Sequence, residues 1–235
     1  PLLYFLRPNS SLLRLAKTRL EARALLKACT NGSSELMSNI SGSIVGMLYN
    51  WQLLRYAGED GVAVYGVLMY IQFIFIAIFI GYTVASTPII GYHHGAANHA
   101  ELKNLLKKSV VLNIIVGAAM VLAAQLLSAP LANIFVGYDQ ELSLLTQHAF
   151  KPFSYAFLLI GFNIFVSSFF TALNNGAISA VISFLRSLVF QIISVLVLPL
   201  ILGLDGIWWS VAAADIFACV ISVVFLVVKR KQYHY

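Results

Sequence analysis

The chain has 235 residues, of which 60% are hydrophobic and only 10% are charged. Soluble domains carry about 25% charged residues, so this composition excludes an ordinary soluble globular protein. The net charge of +6 would suit nucleic acid, but the Lys and Arg residues lie mostly at the edges of apolar runs, where basic residues anchor and orient membrane helices. The expected partner is therefore the lipid bilayer, and nucleic acid is not expected.

Long uncharged runs define the predicted helices in chain order. No Asp, Glu, Lys, Arg or His occurs in residues 61–92, 109–138 or 152–185. A helix of about 20 apolar residues crosses the hydrocarbon layer, and these runs lack the alternation of a transmembrane β-strand. The sequence predicts an all-α polytopic membrane bundle of six transmembrane helices. They lie at residues 33–54, 62–91, 110–136, 152–171, 177–202 and 207–228.

The distribution of basic residues predicts the orientation of the six spans. Twelve of the fifteen Lys and Arg residues fall on the side of the two chain ends, two fall on the opposite side, and Arg186 lies inside span five. Because positively charged loops stay in the cytoplasm, both ends are expected to be cytoplasmic. The expected location is the plasma membrane, as a multi-pass protein.

Three regions follow from this topology. Residues 1–32 are predicted to form a cytoplasmic connection, whose apolar positions recur every fourth residue between basic side chains. This pattern suits either an amphipathic helix on the membrane surface or a solvated connecting helix. Residues 33–228 form the transmembrane lobe, and residues 229–235 form a basic cytoplasmic tail. The chain begins at Pro1 rather than at a Met, which suggests a piece of a longer protein.

Two ionisable residues lie deep inside predicted spans, where each costs about 2.5–3.5 kcal/mol on insertion scales and is therefore a functional candidate. Arg186 lies nine residues into span five, and Asp215 lies eight residues into span six, which enters from the opposite face. Both reach about 12–14 Å into the membrane, where they are predicted to form an intramembrane ion pair. The pair is either a fixed link between two helices, which is the favoured interpretation, or it contains a carboxylate whose charge changes during transport.

Polar residues recur at helical spacing on spans one and four, and aromatic residues lie on spans two and four. Such stripes either form polar contacts between helices or line an aqueous substrate pathway. In the second case Glu35 would attract cations at the cytoplasmic mouth, and aromatic rings would contact them. The residues assigned to this pathway are Glu35, Asn39, Ser43, Asn50, Tyr70, Asn163 and Ser167.

Few other residues carry recognisable chemistry. Pro88 removes a backbone hydrogen bond from span two and could act as a hinge or as a static kink. His93, His94 and His99 follow it, but Glu101 is the only acid at ligand spacing, so the sequence predicts a solvated loop and no metal site. No GxSxG, HExxH, P-loop or GxGxxG motif occurs, which argues against an enzyme. No cofactor is expected.

Five segments resemble the multidrug and toxic compound extrusion (MATE) family, and its bacterial branch is the closer likeness. The resemblance covers nearly the whole chain and is specific through the combination and order of the segments. They are NGSSEL at residues 31–36, AGEDGVAVYG at 57–66, PIIGYHHGA at 88–96, FLR at 184–186 and GIWWS at 206–210.

The resemblance implies twelve spans in two six-helix lobes, which rock to open a central cavity to either side of the membrane. It also implies export of drugs or other organic cations in exchange for H⁺ or Na⁺. This chain would be the C-terminal lobe. Residues 1–30 would connect it to an N-terminal six-helix lobe that the sequence does not contain.

Two spans depart from the family pattern, each at two positions. Many relatives begin the first span of this lobe with a Gly-Leu-Pro-like turn and place an acid two helical turns deeper, where this chain has Ser34 and Gly42. Close bacterial relatives have Pro and Glu in the last span, where this chain has Ala212 and Asp215. The coupling acid is therefore Glu35, Asp215 or a residue of the other lobe.

The sequence thus predicts the C-terminal half of a secondary active transporter that exports organic cations by alternating access. One alternative is a lipid-linked sugar flippase of the same superfamily. That cargo needs basic residues in the cavity, and only Arg186 is available. The other alternative, from a different class, is a six-span membrane scaffold or enzyme.

Overall fold

The computed structural model describes residues 21–235, and most of the predicted connection lies outside this range. Within residues 21–235 the chain forms seven α-helices and one π-helical turn, and no strand. The helices are α1 Ala22–Gly95, α2 His99–Val136, α3 Gln140–Ser154, α4 Phe157–Ala172, α5 Gly176–Phe184, α6 Phe190–Leu202 and α7 Leu204–Tyr233. The π turn, Leu185–Val189, joins α5 to α6.

The longest helix, α1, reverses direction at Gly58. This residue has φ 65° and ψ −152°, a conformation open almost only to glycine. The rings of Tyr49 and Tyr65 stack with their centroids 5.1 Å apart, whereas a straight helix would separate these residues by about 24 Å. The first arm of α1, residues 22–57, and the second arm, residues 59–95, therefore pack side by side as an antiparallel hairpin.

The number of membrane passes agrees with the predicted fold class. Four of the described helical stretches are long and apolar enough to cross a membrane, and α3 and α4, bent by 47°, together make a fifth. The longest of the four stretches, residues 25–95, contains both arms of α1 and thus supplies two passes. Counted this way, the described residues have the length and composition for six passes.

The helices extend beyond the apolar runs from which they were predicted. Helix α1 begins at Ala22, inside the predicted connection, and α7 continues to Tyr233, inside the predicted tail. Helix α3 begins at Gln140, well before predicted span four, because the Asp139 carboxylate caps it by accepting hydrogen bonds from the N–H groups of residues 141 and 142. A side-chain cap, rather than the width of the bilayer, sets the start of α3.

Buried apolar residues form two clusters at opposite ends of the bundle. One contains Tyr49, Phe153 and Trp208 and lies towards the reversal of α1; this is the Gly58 end. The other contains Phe169 and Tyr235 and lies towards the chain's last residues; this is the Tyr235 end. The polar residues described next lie between and beside these two clusters.

Two glycines allow close helix contacts. A Cβ at Gly117 of α2 would lie 2.8 Å from the carbonyl oxygen of Leu158 and 2.9 Å from that of Phe157, both in α4. A Cβ at Gly161 of α4 would overlap the ring of Phe79 in the second arm of α1. Because apolar surface gains little by leaving lipid, close packing at small residues is a main source of helix association in membranes. Helix α4 is thus held against both α1 and α2.

Candidate functional site

A buried polar cluster joins α4, the π turn and α7 inside the lobe. Arg186 Nη1 lies 3.9 Å from Asp215 Oδ1. Asn163 Nδ2 donates hydrogen bonds to Asp215 Oδ1 at 3.1 Å and to the Asp215 carbonyl oxygen at 3.0 Å. Ser222, two turns further along α7, donates to Asn163 Oδ1 at 3.3 Å. The structure therefore brings the two predicted partners together and adds an amide that sequence reasoning had assigned elsewhere.

The π turn positions Arg186 in this cluster. A π turn inserts one extra residue into a helix and is frequent at functional sites. Here the Phe190 N–H donates to the Leu185 carbonyl oxygen, and Ser187 Oγ donates to the Ser183 carbonyl oxygen at 2.6 Å. The inserted residue changes the direction in which side chains of α5 and α6 point relative to each other. No sequence signal identified it.

The cluster keeps unused hydrogen-bonding capacity. Among the buried side-chain atoms of residues 21–235, Asp215 Oδ2 and Arg186 Nε have no hydrogen-bond partner. The 3.9 Å contact between the two side chains exceeds hydrogen-bond length, so the pair is held by charge attraction rather than by a direct hydrogen bond. Asp215 therefore presents one carboxylate oxygen that can accept a proton or contact a small cation.

A second polar group lies nearer the Gly58 end and was not anticipated from the sequence. The Tyr49 hydroxyl donates to Gln191 Oε1 at 2.9 Å and lies 2.7 Å from Ser210 Oγ. These contacts join the first arm of α1 to α6 and α7. Helical spacing gave no signal for this group, because Tyr49 lies beside the polar stripe rather than in it, and its partners are on other helices.

Gln52, in the first arm of α1, replaces a hydrogen bond that Pro199 removes from α6. Pro199 has no N–H, so the carbonyl oxygen of Val195, one turn earlier, loses its helical hydrogen bond. Gln52 Nε2 donates to that oxygen at 3.0 Å. Gln52 is 4% exposed and Val195 is fully buried, so the amide supplies the bond that water would otherwise provide.

This hydrogen bond yields a first prediction. Gln52→Leu is expected to lower the free energy of unfolding of the full-length protein by about 1 kcal/mol, because it removes one hydrogen bond. In a Pro199→Ala background residue 199 regains its N–H and can satisfy Val195, so Gln52→Leu is expected to cost less. Unfolding in detergent micelles measures both values. An equal loss of unfolding free energy in the wild-type and Pro199→Ala backgrounds would contradict this role of Gln52.

Hydroxyl groups connect α4 to α5. Ser167 Oγ lies 2.9 Å from Ser179 Oγ and 2.8 Å from Ser183 Oγ, and Thr171 Oγ1 donates to Ser179 Oγ at 2.7 Å. The three serines are buried. In this conformation the hydroxyl of Ser167 therefore bonds within the lobe and does not line an open pathway.

The structure divides the predicted pathway residues into two groups. One group is exposed and lies on the two arms of α1; Asn163 and Ser167 are instead buried inside the lobe. Helical spacing identifies residues that share one face but not the neighbour which that face meets, so the expectation of one shared cavity wall differs from the arrangement found. The exposed group consists of Glu35, Asn39, Ser43, Asn50 and Tyr70.

Tyr70 lies on the second arm of α1 and is 65% exposed. Its ring stacks on Phe135 at the end of α2, with centroids 6.3 Å apart. On the first arm, Asn39 Nδ2 donates to the backbone carbonyl oxygen of Glu35 at 2.9 Å, which leaves the Glu35 carboxylate exposed. The polar and aromatic members of the exposed group thus lie on different arms of the hairpin.

Helix α1 continues through Pro88. The only residue with non-helical backbone angles inside α1 is Gly58, so the bend expected at Pro88 does not break the helix. Ser86 Oγ and Thr87 Oγ1 both donate to the Thr83 carbonyl oxygen, at 3.2 and 2.7 Å. These bonds stabilise the turn before the proline. A role of Pro88 as a hinge stays a prediction.

The Tyr235 end is tied together by side chains from several helix ends. Asn31 Nδ2 donates to Asn174 Oδ1 at 2.8 Å, and Asn175 Nδ2 donates to the Tyr233 hydroxyl at 2.7 Å. Tyr235 is buried and donates to a carbonyl oxygen of α7, and this burial, with Tyr233 nearby, raises the pKa of its hydroxyl. The end of the predicted basic tail therefore packs against the lobe.

The histidines near this end do not form a metal site in the part of the chain that the structure describes. No group of three or more His, Cys, Asp and Glu side chains in residues 21–235 could hold a metal ion. The His99 and His234 rings contact each other with centroids 5.1 Å apart, and the His94 ring contacts Tyr233 at 5.7 Å. These contacts fix the α1–α2 turn against the end of α7.

A helical lobe with several membrane passes and a charged pair buried between its spans is the architecture of a polytopic membrane protein. The MatE family model matches residues 36–197, which is more than half of the chain. The chain therefore belongs to the MatE family. Proteins of this family are transporters and not enzymes.

Solved structures of transporters share the fold of this chain. One is an outward-facing multidrug resistance MATE family transporter of the MOP superfamily. The match covers 98% of this chain and 52% of the transporter chain, with a TM-score of 0.87 and 19% sequence identity. An inward-facing transporter of the same description matches 94% of this chain and 50% of its own, with a TM-score of 0.78 and 22% identity.

A third match is a MOP superfamily transporter from Pyrococcus furiosus, described as having a binding pocket of reverse polarity that suggests a different function. It covers 96% of this chain and 51% of its own, with a TM-score of 0.83 and 21% identity. The chain thus spans about half the length of the solved structures it matches. The comparison with curated proteins found no match.

Proposed function

We propose that this chain is the C-terminal lobe of an exporter that moves organic cations out of the cell by alternating access, in exchange for H⁺ or Na⁺. The observation that carries the proposal is the buried Asp215 carboxylate, which has Arg186 at 3.9 Å and one oxygen without a hydrogen-bond partner. Ionisable side chains in membrane helices mark ion or substrate pathways because they are costly to keep there. A coupling ion would act on this carboxylate, and no cofactor is required.

The loose geometry of the pair supports a coupling role over a purely fixed link. A fixed pair gains most when the guanidinium binds the carboxylate by two short hydrogen bonds. Here Asn163, not Arg186, donates to Asp215, while Arg186 Nε stays without a partner among the described residues. An incoming H⁺ or Na⁺ at Asp215 would weaken its attraction to Arg186. The π turn that carries Arg186 would then favour another arrangement of α5 and α6.

The exposed stripe on α1 supports a polar substrate pathway at the face of this lobe. Glu35, Asn39, Ser43 and Asn50 share one side of the first arm, and the helices of this lobe do not cover them. Polar side chains face water or protein rather than lipid. We place an aqueous cavity along this stripe, between this lobe and an N-terminal six-helix lobe of the same protein.

The charge distribution supports an orientation for this pathway. Lys103, Lys107 and Lys108 begin α2, and residues 229–231 are all basic, so both groups lie at the Tyr235 end. By the positive-inside rule this end faces the cytoplasm of a plasma membrane, and both ends of the chain lie there. Glu35 would then lie at the cytoplasmic mouth, where its charge attracts organic cations.

A flippase for lipid-linked sugars is the competing function. Its pyrophosphate cargo requires basic side chains in the cavity, whereas the exposed stripe carries the acidic Glu35, and Arg186 is buried beside Asp215. The described residues therefore favour a cationic substrate. A six-span enzyme is excluded by the family, and a scaffold that does not transport would fail the following test.

Transport by the full-length protein in vesicles tests the proposal. An ion gradient is expected to drive efflux of an ethidium-like cation, and Glu35→Gln is expected to raise the half-saturating cation concentration several-fold, most strongly at low salt. The matched control is Glu59→Gln, an exposed acid beside the reversal of α1, at the Gly58 end of the lobe. The transport proposal would be refuted if the cation content of vesicles with the wild-type protein did not depend on the ion gradient. An unchanged half-saturating cation concentration in Glu35→Gln would refute only the role of Glu35.

A further inference from the structure

Helix α2 carries a groove at one end of its apolar run. The groove has a volume of about 390 Å³ and is polar at one end and apolar at the other. Its lining residues all belong to α2. They are Asn104, Lys107, Lys108, Val111, Leu112 and Ile115.

This groove lies on the side of α2 that the lobe leaves uncovered. The buried side of α2 contains Asn113 and Gly117, which face the bundle. The groove residues lie on the opposite side, where Val111 is 48% and Ile115 60% exposed. The exposed apolar side continues past the groove to Leu122, which is 64% exposed, so it forms a track along the helix.

The two lysines of the groove lie at the boundary between polar and apolar sequence. They directly precede residues 109–138, which contain no ionisable side chain apart from the tyrosine phenol at the end. The two ion pairs found in residues 21–235 join other side chains, so Lys107 and Lys108 are available to an external anion. The nearest acid on this side, Glu101, accepts hydrogen bonds from Asn104 Nδ2 at 3.2 and 3.3 Å.

We propose that this groove binds an anionic phospholipid. The phosphate would lie between Lys107 and Lys108, and the acyl chains would run along Val111, Ile115 and Leu122. Basic side chains beside membrane helices attract anionic headgroups, and the compact ammonium group suits a phosphate. The adjoining apolar track fits an acyl chain and has no use for a free phosphate ion. The inference does not depend on the transported substrate.

Lipid retention by the full-length protein tests this site. The protein is purified in detergent with equal amounts of phosphatidylglycerol and phosphatidylcholine, and native mass spectrometry counts the bound lipids. Lys107→Gln/Lys108→Gln is expected to lower the ratio of bound phosphatidylglycerol to phosphatidylcholine about tenfold. The matched control is Lys229→Gln/Lys231→Gln, which removes two basic residues from the same end of the lobe and is expected to leave the ratio unchanged.

A second variant separates the headgroup from the acyl track. Ile115→Ser keeps both lysines and is expected to weaken retention of the two lipids to a similar extent. An unchanged ratio in Lys107→Gln/Lys108→Gln, or an equal fall in the control, overturns the proposal. A loss of stability of the lipid-free protein in Ile115→Ser also overturns it, because protein rather than lipid would then cover this side of α2.

Discussion

Asp215→Asn is expected to abolish ion-driven efflux by the full-length protein and to lower its free energy of unfolding by about 3–5 kcal/mol. The substitution removes the counter-charge of Arg186, whose side chain is only 17% exposed, and leaves a guanidinium without a partner inside the bundle. Vesicle efflux and unfolding in detergent micelles measure the two effects separately. Arg186→Gln is also expected to destabilise the protein, because Asp215 would then be the buried charge without a partner.

The double substitution Asp215→Asn/Arg186→Gln separates structure from transport. It removes both charges, so stability is expected to recover towards that of the wild-type protein, because isolated buried charges cost more than neutral polar groups. Efflux is expected to stay absent, because the exchangeable carboxylate is gone. Recovery of efflux together with stability would show that the pair is a fixed link between helices.

Asp205→Asn provides the matched control on the same helix. The Asp205 carboxylate contacts His148 Nε2 at 2.7 Å, but the two side chains are 51% and 59% exposed. Exposed ion pairs contribute about 0–1 kcal/mol, so the control is expected to leave stability nearly unchanged. It is also expected to keep efflux, since this pair lies at the Gly58 end, outside the buried cluster. Equal losses in both variants would mean that any acid of α7 matters.

Gly117→Ala is expected to be the second large effect, lowering the free energy of unfolding by about 1–3 kcal/mol. The new Cβ would lie 2.8 Å from the Leu158 carbonyl oxygen and 3.1 Å from the Leu158 Cα. These are backbone atoms of α4, so no side chain can rotate away and the helices must separate. Separation also loosens the bent pair of α3 and α4. Thermal unfolding of the full-length protein in micelles measures the effect.

Gly66→Ala is the control for this substitution. A Cβ at Gly66, in the second arm of α1, would have no neighbour within 4 Å. Alanine has a higher helix propensity than glycine by about 1 kcal/mol, so this variant is expected to be as stable as the wild-type protein or slightly more stable. If both variants lost equal stability, the close approach of α2 and α4 would not be the cause.

The six passes and the ion pair could be predicted because both follow from arithmetic along the chain. Uncharged runs of sufficient length must cross the bilayer, and the depth of Arg186 in one span and of Asp215 in the next places them at the same level. The family resemblance supplied the half-length lobe. None of these inferences requires knowing which helix faces touch.

The partners of the buried polar residues could not be predicted, because they depend on those faces. Asn163 looked like part of a pathway stripe, yet it bonds Asp215 through a helix contact that spacing alone does not specify. The spans at residues 33–54 and 62–91 did predict a reversal between them, but not that Gly58 alone would make it; that detail, like the bend near Tyr155, depends on local backbone angles. Pro199 did carry a usable signal: a proline inside a span leaves a carbonyl oxygen that some donor must satisfy.

The hairpin at Gly58 has a mechanical consequence. A single non-helical residue joins its two arms, and the stacked rings of Tyr49 and Tyr65 hold the arms together within the bundle. There is no slack loop that would let one arm slide past the other. The polar stripe on the first arm and Tyr70 on the second arm therefore belong to one structural unit. A rotation of the hairpin as one unit would therefore move Glu35 and Tyr70 together.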